Sequence, residues 1–396
     1  MQKTLLSLVA ITLLCSAETT EIEQLKTRVD TLEKALKTQK DQALDEKIKN
    51  AMGSIGSFTQ TDSLPDIAFI ANMSALGRNV DNEAYAGYQI PGFTTQPSKQ
   101  PFNPKRGFNL NYGELEIQST VDPYFDVTSA LHIEKDGLHI GELYVMTRAL
   151  PYGLRLKTGK FRSEFGRINS HHQHTWNFSN IPLVFESFFG AGGLADEGIQ
   201  LHYTAPTDTF IQAGFEAMQG SNSRSFGDTD KNTLSIGYLK SSVDITDMTS
   251  LLAGASWLHG KSNEGDSDIY GGDLTLKHIF DSYSSLTWQS ELLYRDKETT
   301  DINQKQAGLY SELTYAHDKN WATGVRYDTL FKNIDNQPDD LNRYTAMLEY
   351  RPFVFSKIRL QYTNDRSKWI GGERKDTHEI MLDLTIAAGA HGAHAF

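Results

Sequence analysis

Glu379-Ile380-Met381-Leu382-Asp383-Leu384-Thr385-Ile386 places Ile380, Leu382, Leu384 and Ile386 on one side of an extended chain and Glu379, Met381, Asp383 and Thr385 on the other. A period of two belongs to a strand with two different faces. The two preceding stretches repeat it. Ile358, Leu360 and Tyr362 oppose Arg359, Gln361 and Thr363; Tyr344, Ala346, Leu348 and Tyr350 oppose Thr345, Met347, Glu349 and Arg351. One face is aliphatic and aromatic and the other is charged, the pattern of a transmembrane β-barrel with a wet interior.

Followed toward the N-terminus, the alternation defines further strands at about 320–330, 305–316, 284–295, 268–280, 249–259, 232–242, 209–218, 197–205, 153–163, 138–149, 125–135, 108–120 and 66–72. With the three above, at 342–351, 355–365 and 376–387, the total is sixteen. The gaps alternate in length. Turns such as Asp122-Pro123-Tyr124, Asp281-Ser282-Tyr283 and Arg351-Pro352-Phe353 are tight and rich in turn formers. Between them lie long polar connections at 73–107, 164–196, 219–231, 260–267, 296–304, 331–341 and 366–375, with Lys135-Asp136-Gly137 the one tight turn on that side. Sorting by length puts short turns on one rim and long loops on the other, and an even strand number returns both termini to the short-turn rim. The reading is an all-β, antiparallel transmembrane barrel of about 16 strands over 65–396, with periplasmic termini in a bacterial outer membrane.

The residues before the barrel read differently. Lys3, the apolar run Leu5 to Leu14 and Cys15-Ser16-Ala17 make 1–17 a signal peptide, too short to span as a helix. Ile22, Leu25, Val29, Leu32 and Leu36 fall at heptad spacing, so 18–50 reads as a periplasmic coiled-coil helix. It is either an oligomerising stalk, which makes the protein a homo-oligomer (dimer or trimer), or an amphipathic helix lying on its own barrel. Residues 51–64 are a polar linker. The net charge of -12 excludes a nucleic-acid partner, which needs a basic face. Cleavage after Ala17 removes the single cysteine, and with it any disulfide or thiolate site.

Sixteen strands enclose an aqueous channel. The inward positions carry both signs: Arg155, Lys157, Glu291, Arg326, Glu349, Arg359 and Asp383 on the strands, with Glu164 and Arg167 where the fifth strand ends. Opposed charges of this kind set a field that selects polar solutes, although any wet wall needs polar residues. The connection between the fifth and sixth strands stands out. Phe185, Phe188 and Phe189 make it too apolar for a solvated loop; folded into the lumen, it would form the narrowest point of the pore. It also carries His171, His172 and His174. His172 and His174 share a face of an extended chain while His171 points away, so the first two are the metal candidates, with Glu164, Glu186 or Asp196 to complete a site. His391 and His394 in the C-terminal tail form a weaker second pair. No nucleophile with a spaced base, phosphate loop or paired catalytic carboxylate is present, so the chain reads as a non-enzyme.

The run Gly159-Lys160-Phe161, Phe165-Gly166-Arg167-Ile168-Asn169, His172-x-His174, Trp176-Asn177-Phe178 and Pro182-Leu183-Val184 resembles a group of bacterial outer-membrane barrels related to phosphate-selective-type porins. So do Val121-Asp122-Pro123-Tyr124-Phe125 and His391-Gly392-Ala393-His394. Members are labelled zinc-regulated outer-membrane receptors, sometimes with a TonB-dependent tag. The resemblance spans most of 65–396 and implies a role in zinc acquisition. An energised receptor of that kind needs 22 strands and a plug domain, which a heptad helix and linker do not supply. The chain also departs from the usual terminal strand signature, with Ala393 and His394 before Phe396. The expectation is therefore a porin-like channel for small polar solutes, favouring divalent cations such as zinc, with outer-membrane lipid around it. It requires no cofactor beyond transient Zn2+. The alternatives are an adhesion or surface-binding barrel with functional outer loops, and an energised metal receptor.

Overall fold

The computed structural model describes residues 65–93, 102–121, 124–134, 137–148, 150–226, 234–261, 265–298, 303–331, 338, 340–354 and 356–389. The signal peptide, heptad helix and linker expected over 1–64, and His391 and His394, lie outside the described residues.

Sixteen strands form a closed barrel in which each pairs antiparallel with its sequence neighbours. They are β1 (Asp66–Arg78), β2 (Gly107–Val121), β3 (Phe125–Glu134), β4 (Gly137–Thr147), β5 (Leu154–Arg162), β6 (Ala195–Thr204), β7 (Phe210–Met218), β8 (Leu234–Thr246), β9 (Thr249–Lys261), β10 (Asp266–Ile279), β11 (Ser285–Glu298), β12 (Asn303–Ala316), β13 (Trp321–Leu330), β14 (Asn342–Phe353), β15 (Ser356–Asp365) and β18 (Thr377–Gly389). The two-residue strands β16 (Trp369–Ile370) and β17 (Glu373–Arg374) make a small ribbon within the last long connection. Closure comes from β1 against β18, with Ala68 opposite Gly389 and Arg78 opposite Glu379. Among the described residues the barrel ladders run from strand to strand around the closed ring and leave no open edge in it, which is what a sheet in lipid requires.

The alternation becomes an inside-out protein. On β18, Ile380 is 60% exposed on the outside, whereas Asp383 is 2% exposed on the inside. Outward Leu360, Tyr362, Leu348 and Tyr344 continue the apolar band.

The first strand is longer than its pattern foretold: it runs to Arg78 rather than ending at Asn72. Beyond Asn72 the contrast between faces fades, because Leu76 points inward beside Ser74 and Arg78 while Ala75 and Gly77 stand on the other face. Register against β18, not local polarity, carries the strand on.

Candidate functional site in the barrel lumen

The chain leaves the wall at Arg162 and regains it at Ala195. Everything between turns into the lumen, because the wall offers acceptors for its backbone and an apolar interior for its rings. Glu216 on β7 accepts from Ser163 Oγ at 2.6 Å and Glu164 N at 2.9 Å. Glu291 on β11 accepts from the Arg167 and Ile168 amides, both at 2.8 Å, and from the Tyr310 hydroxyl at 2.5 Å. Gly166 makes that approach possible: it sits at φ +68°, and a Cβ there would lie 2.4 Å from Glu291 Oε2.

Farther on, Asp328 accepts from Leu183 N at 2.8 Å, at the start of the short helix Leu183–Phe189. A carboxylate is favourable at that end. Arg359 donates to Trp176 O and Ser179 Oγ, Arg326 to Asn180 O, and Arg343 to Ile181 O. Beneath this polar rim Phe165, Phe185, Phe188 and Phe189 pack with Tyr88, Ile90 and Phe93 of the first long connection into a buried apolar cluster. Phe93 stacks on Phe188 with centroids 5.6 Å apart.

The positions read as lumen-facing charges therefore have diverse surroundings. Arg326, Glu291 and Arg359 bind the inserted loop. Glu349 pairs with Arg359 at 2.5 Å and with Arg351 at 2.6 Å. Asp383 accepts from Asn72 Nδ2 at 2.9 Å. Lys157 lies over the Tyr144 and Phe161 rings, and Arg155 is exposed near the short-turn end of β5. Glu164 bonds Lys240 at 2.6 Å; Lys240 and Lys157 outweigh the effect of burial and hold its pKa at about 2. Arg167 contributes its amide to Glu291.

The histidines gather where the loop crosses β2 and β4. One 3-10 turn, Gln173–Thr175, follows His172, and this turn rather than an extended chain brings the His172 and His174 rings to 5.5 Å. Between them and the wall stands Glu114 of β2. Its Oε2 is 3.5 Å from His172 Nδ1 and its Oε1 3.7 Å from His174 Nδ1. One ligand atom from each of the three residues falls within 4.8 Å of the others. A tetrahedral ion about 2.1 Å from each ligand wants them roughly 3.4 Å apart, so small side-chain shifts would close the set. Glu114 Oε1 is buried and makes no hydrogen bond among the described residues. Two imidazoles and a carboxylate with one position open is a donor set that suits zinc.

Around these three stands a supporting layer. Glu142 of β4 holds His172 Nε2 at 2.8 Å, and His132 of β3 holds Glu114 Oε2 at 3.1 Å. A carboxylate on the far nitrogen of a ligating imidazole fixes its orientation and raises its basicity. Burial disfavours the His172 imidazolium, but hydrogen bonds and charge from Glu114 and Glu142 prevail and lift its pKa to about 10. His171 faces away. Its Nδ1 lies 2.8 Å from Arg167 O, and burial together with the Arg167 charge pushes it down to about 4.

The carboxylates offered by sequence to complete the site are engaged elsewhere: Glu164 with Lys240, Glu186 with Arg343 and Tyr88, and Asp196 with the Gly220 and Ser221 amides. The acid that stands beside the two imidazoles is Glu114, which along the sequence is only one wall charge among many. His132, which looks isolated along the chain, faces it directly in the β2–β3 register. That cross-strand register is the signal that would have found both.

No known protein-family model matches the chain. An uncharacterized protein of Aquifex aeolicus (strain VF5) is 38% identical, over 86% of this chain and 82% of that protein. Among solved structures, the outer membrane channel DcaP of Acinetobacter baumannii aligns at a TM-score of 0.54 and 10% identity, covering 84% of this chain and 99% of that one. The anion-selective porin from Comamonas acidovorans aligns at 0.55 and 12%, covering 82% and 100%. OmpT of Vibrio cholerae, folded in vitro, aligns at 0.53 and 9%, covering 85% and 100%. At such identities the likeness is one of fold: this barrel has the architecture of outer-membrane porins.

Proposed function

This chain belongs to the same family as the uncharacterized Aquifex aeolicus protein, and we propose that it is a porin-like channel of the bacterial outer membrane, passing small polar solutes and holding a divalent cation such as zinc on its inward loop. The observation that carries the reading is the convergence of His172 and His174 on Glu114 inside a closed 16-strand barrel. A wide barrel alone supports passage; the imidazole–carboxylate cluster on a lumenal loop supports zinc as cargo or modulator. Short turns and both described chain ends on one rim suit a periplasmic orientation. A dimer or trimer is the assembly in keeping with this fold. The resemblance to zinc-regulated barrels points the same way.

Planar-bilayer recordings on the full-length protein test both parts. Discrete conductance steps are expected, reduced by micromolar zinc in the wild type and unaffected by it in the double variant His172→Ala/His174→Ala. Silence under all conditions would refute the channel. Equal zinc sensitivity of wild type and variant would refute the site.

A further inference from the structure

The loop and wall enclose a second polar cavity, on the side of β1, β14, β15 and β18. It leaves room for water centres over about 50 Å³, on the order of four waters or five heavy atoms of a solute. Three cations, Arg78, Arg343 and Lys368, share its lining with three carboxylates, Glu186, Asp365 and Glu379. The formal charge of this set is zero, so the cavity is not built for an ion of one sign.

The pairing within it is uneven. Arg343 is consumed by Glu186 at 2.5 Å and Asp365 at 2.9 Å. Lys368 Nζ donates to Tyr85 Oη at 2.6 Å and lies 3.2 Å from Asp365. Arg78 is different. Its Nε meets Glu379 at 2.7 Å and its Nη2 meets Asn103 O at 3.1 Å, but Nη1 has no acceptor among the described residues. The side chain is only 1% exposed, so an acceptor for Nη1 has to come from inside the cavity. The guanidinium also lies 3.3 Å over the Tyr85 ring, held in place by stacking. A fixed, buried, charged donor without an acceptor is costly unless something supplies one.

We propose that this cavity binds a small zwitterion of the amino-acid type, with its carboxylate on Arg78 Nη1 and its ammonium toward Glu379. Arg78 offers the donor, Glu379 next to it the opposite charge, and the net-neutral lining disfavours a solute carrying either charge alone. The site names a solute class for the channel and rests on that reading.

Proteoliposomes containing the full-length protein are given glycine, acetate or methylammonium, the zwitterion and its two singly charged halves. Entry is counted after subtracting the rate into protein-free vesicles, because the uncharged acid and amine cross lipid unaided. Glycine is expected to enter about tenfold faster than either half, the worth of one charge-assisted hydrogen bond. Arg78→Gln and, separately, Thr363→Leu, which fills the cavity while keeping every charge, are expected to bring the ratio near one. Heat-dependent electrophoretic mobility confirms that each barrel is folded. Equal entry of all three probes in the wild type overturns the proposal, as does an unchanged preference in folded Thr363→Leu. If no solute or ion crosses at all, the channel reading fails, and titration of the detergent-solubilised protein with glycine decides the site by itself. Saturable binding lost in Thr363→Leu upholds it, and absence of saturable binding overturns it.

Discussion

His172 sits between two carboxylates, an arrangement that makes it a latch for the loop and, in the proposed zinc site, a ligand as well. Its two ring nitrogens face Glu114 on β2 and Glu142 on β4, which favour the imidazolium form. Its pKa is raised from 6.5 to about 10, so its ionic share in anchoring the loop is complete below pH 6.5 and is lost as pH rises through about 10. An NMR titration of the His172 ring should place its midpoint well above neutrality; a midpoint near 6.5 would show that the two carboxylates do not grip it. Metal binding must expel that proton, so zinc affinity should climb with pH across the same window. Glu142 supports rather than ligates. Glu142→Gln should weaken zinc binding by about 10- to 100-fold without abolishing it, as measured by competition with a chromogenic chelator. A complete loss would make Glu142 a direct ligand.

The inserted loop has only one short helix and one 3-10 turn of its own, and it is held largely by the wall. Glu291 alone receives two successive loop amides and a tyrosine hydroxyl. Gly166→Ala puts a methyl group against that carboxylate in a left-handed backbone, which should cost about 1–3 kcal/mol of local stability. Faster amide exchange confined to 163–194, with unchanged exchange in the strands, is the expected outcome. Global loss of protection would mean that the loop and barrel fold as one cooperative unit. That the loop turns inward was foreshadowed by Phe185, Phe188 and Phe189, which no solvated loop would carry. Which wall residues would meet it was not. Contacts such as Ser179 with Gln361 join positions 182 residues apart, and no local pattern records them.

For the whole molecule, the barrel reverses the usual distribution of polarity, and single substitutions on one strand can show it. Leu382 stands outward, 49% exposed, while its neighbour Asp383 is buried inside. Leu382→Arg should lower the stability of the barrel in lipid vesicles by about 2–4 kcal/mol if the residue faces the bilayer midplane, read from denaturant titration. An effect below a few tenths of a kcal/mol would put that face in water and undo the membrane assignment.

The sixteen strands, the alternation of turns and loops, and the return of both ends to one rim that an even count implies were all legible along the chain, because side chains in a strand take sides with a period of two and a lipid-facing side is mostly apolar. Strand ends such as Arg78 were less so, since Leu76 inside and Gly77 outside blur the contrast. Two of the three converging site residues, His172 and His174, were also legible, as an unusual cluster in an unusual loop. The third was decided only by tertiary structure. Glu114, together with Glu142 and His132 around it, becomes part of the site because three neighbouring strands bring the residues into register across the sheet and the loop then lays its histidines on them. The charge lining of the second cavity is likewise drawn from both ends of the barrel chain, Arg78 and Glu379 meeting where β1 closes on β18. Periodicity is a property of neighbours in sequence, whereas a coordination set belongs to neighbours in space, and closing the barrel and folding its loop inward converts the first into the second.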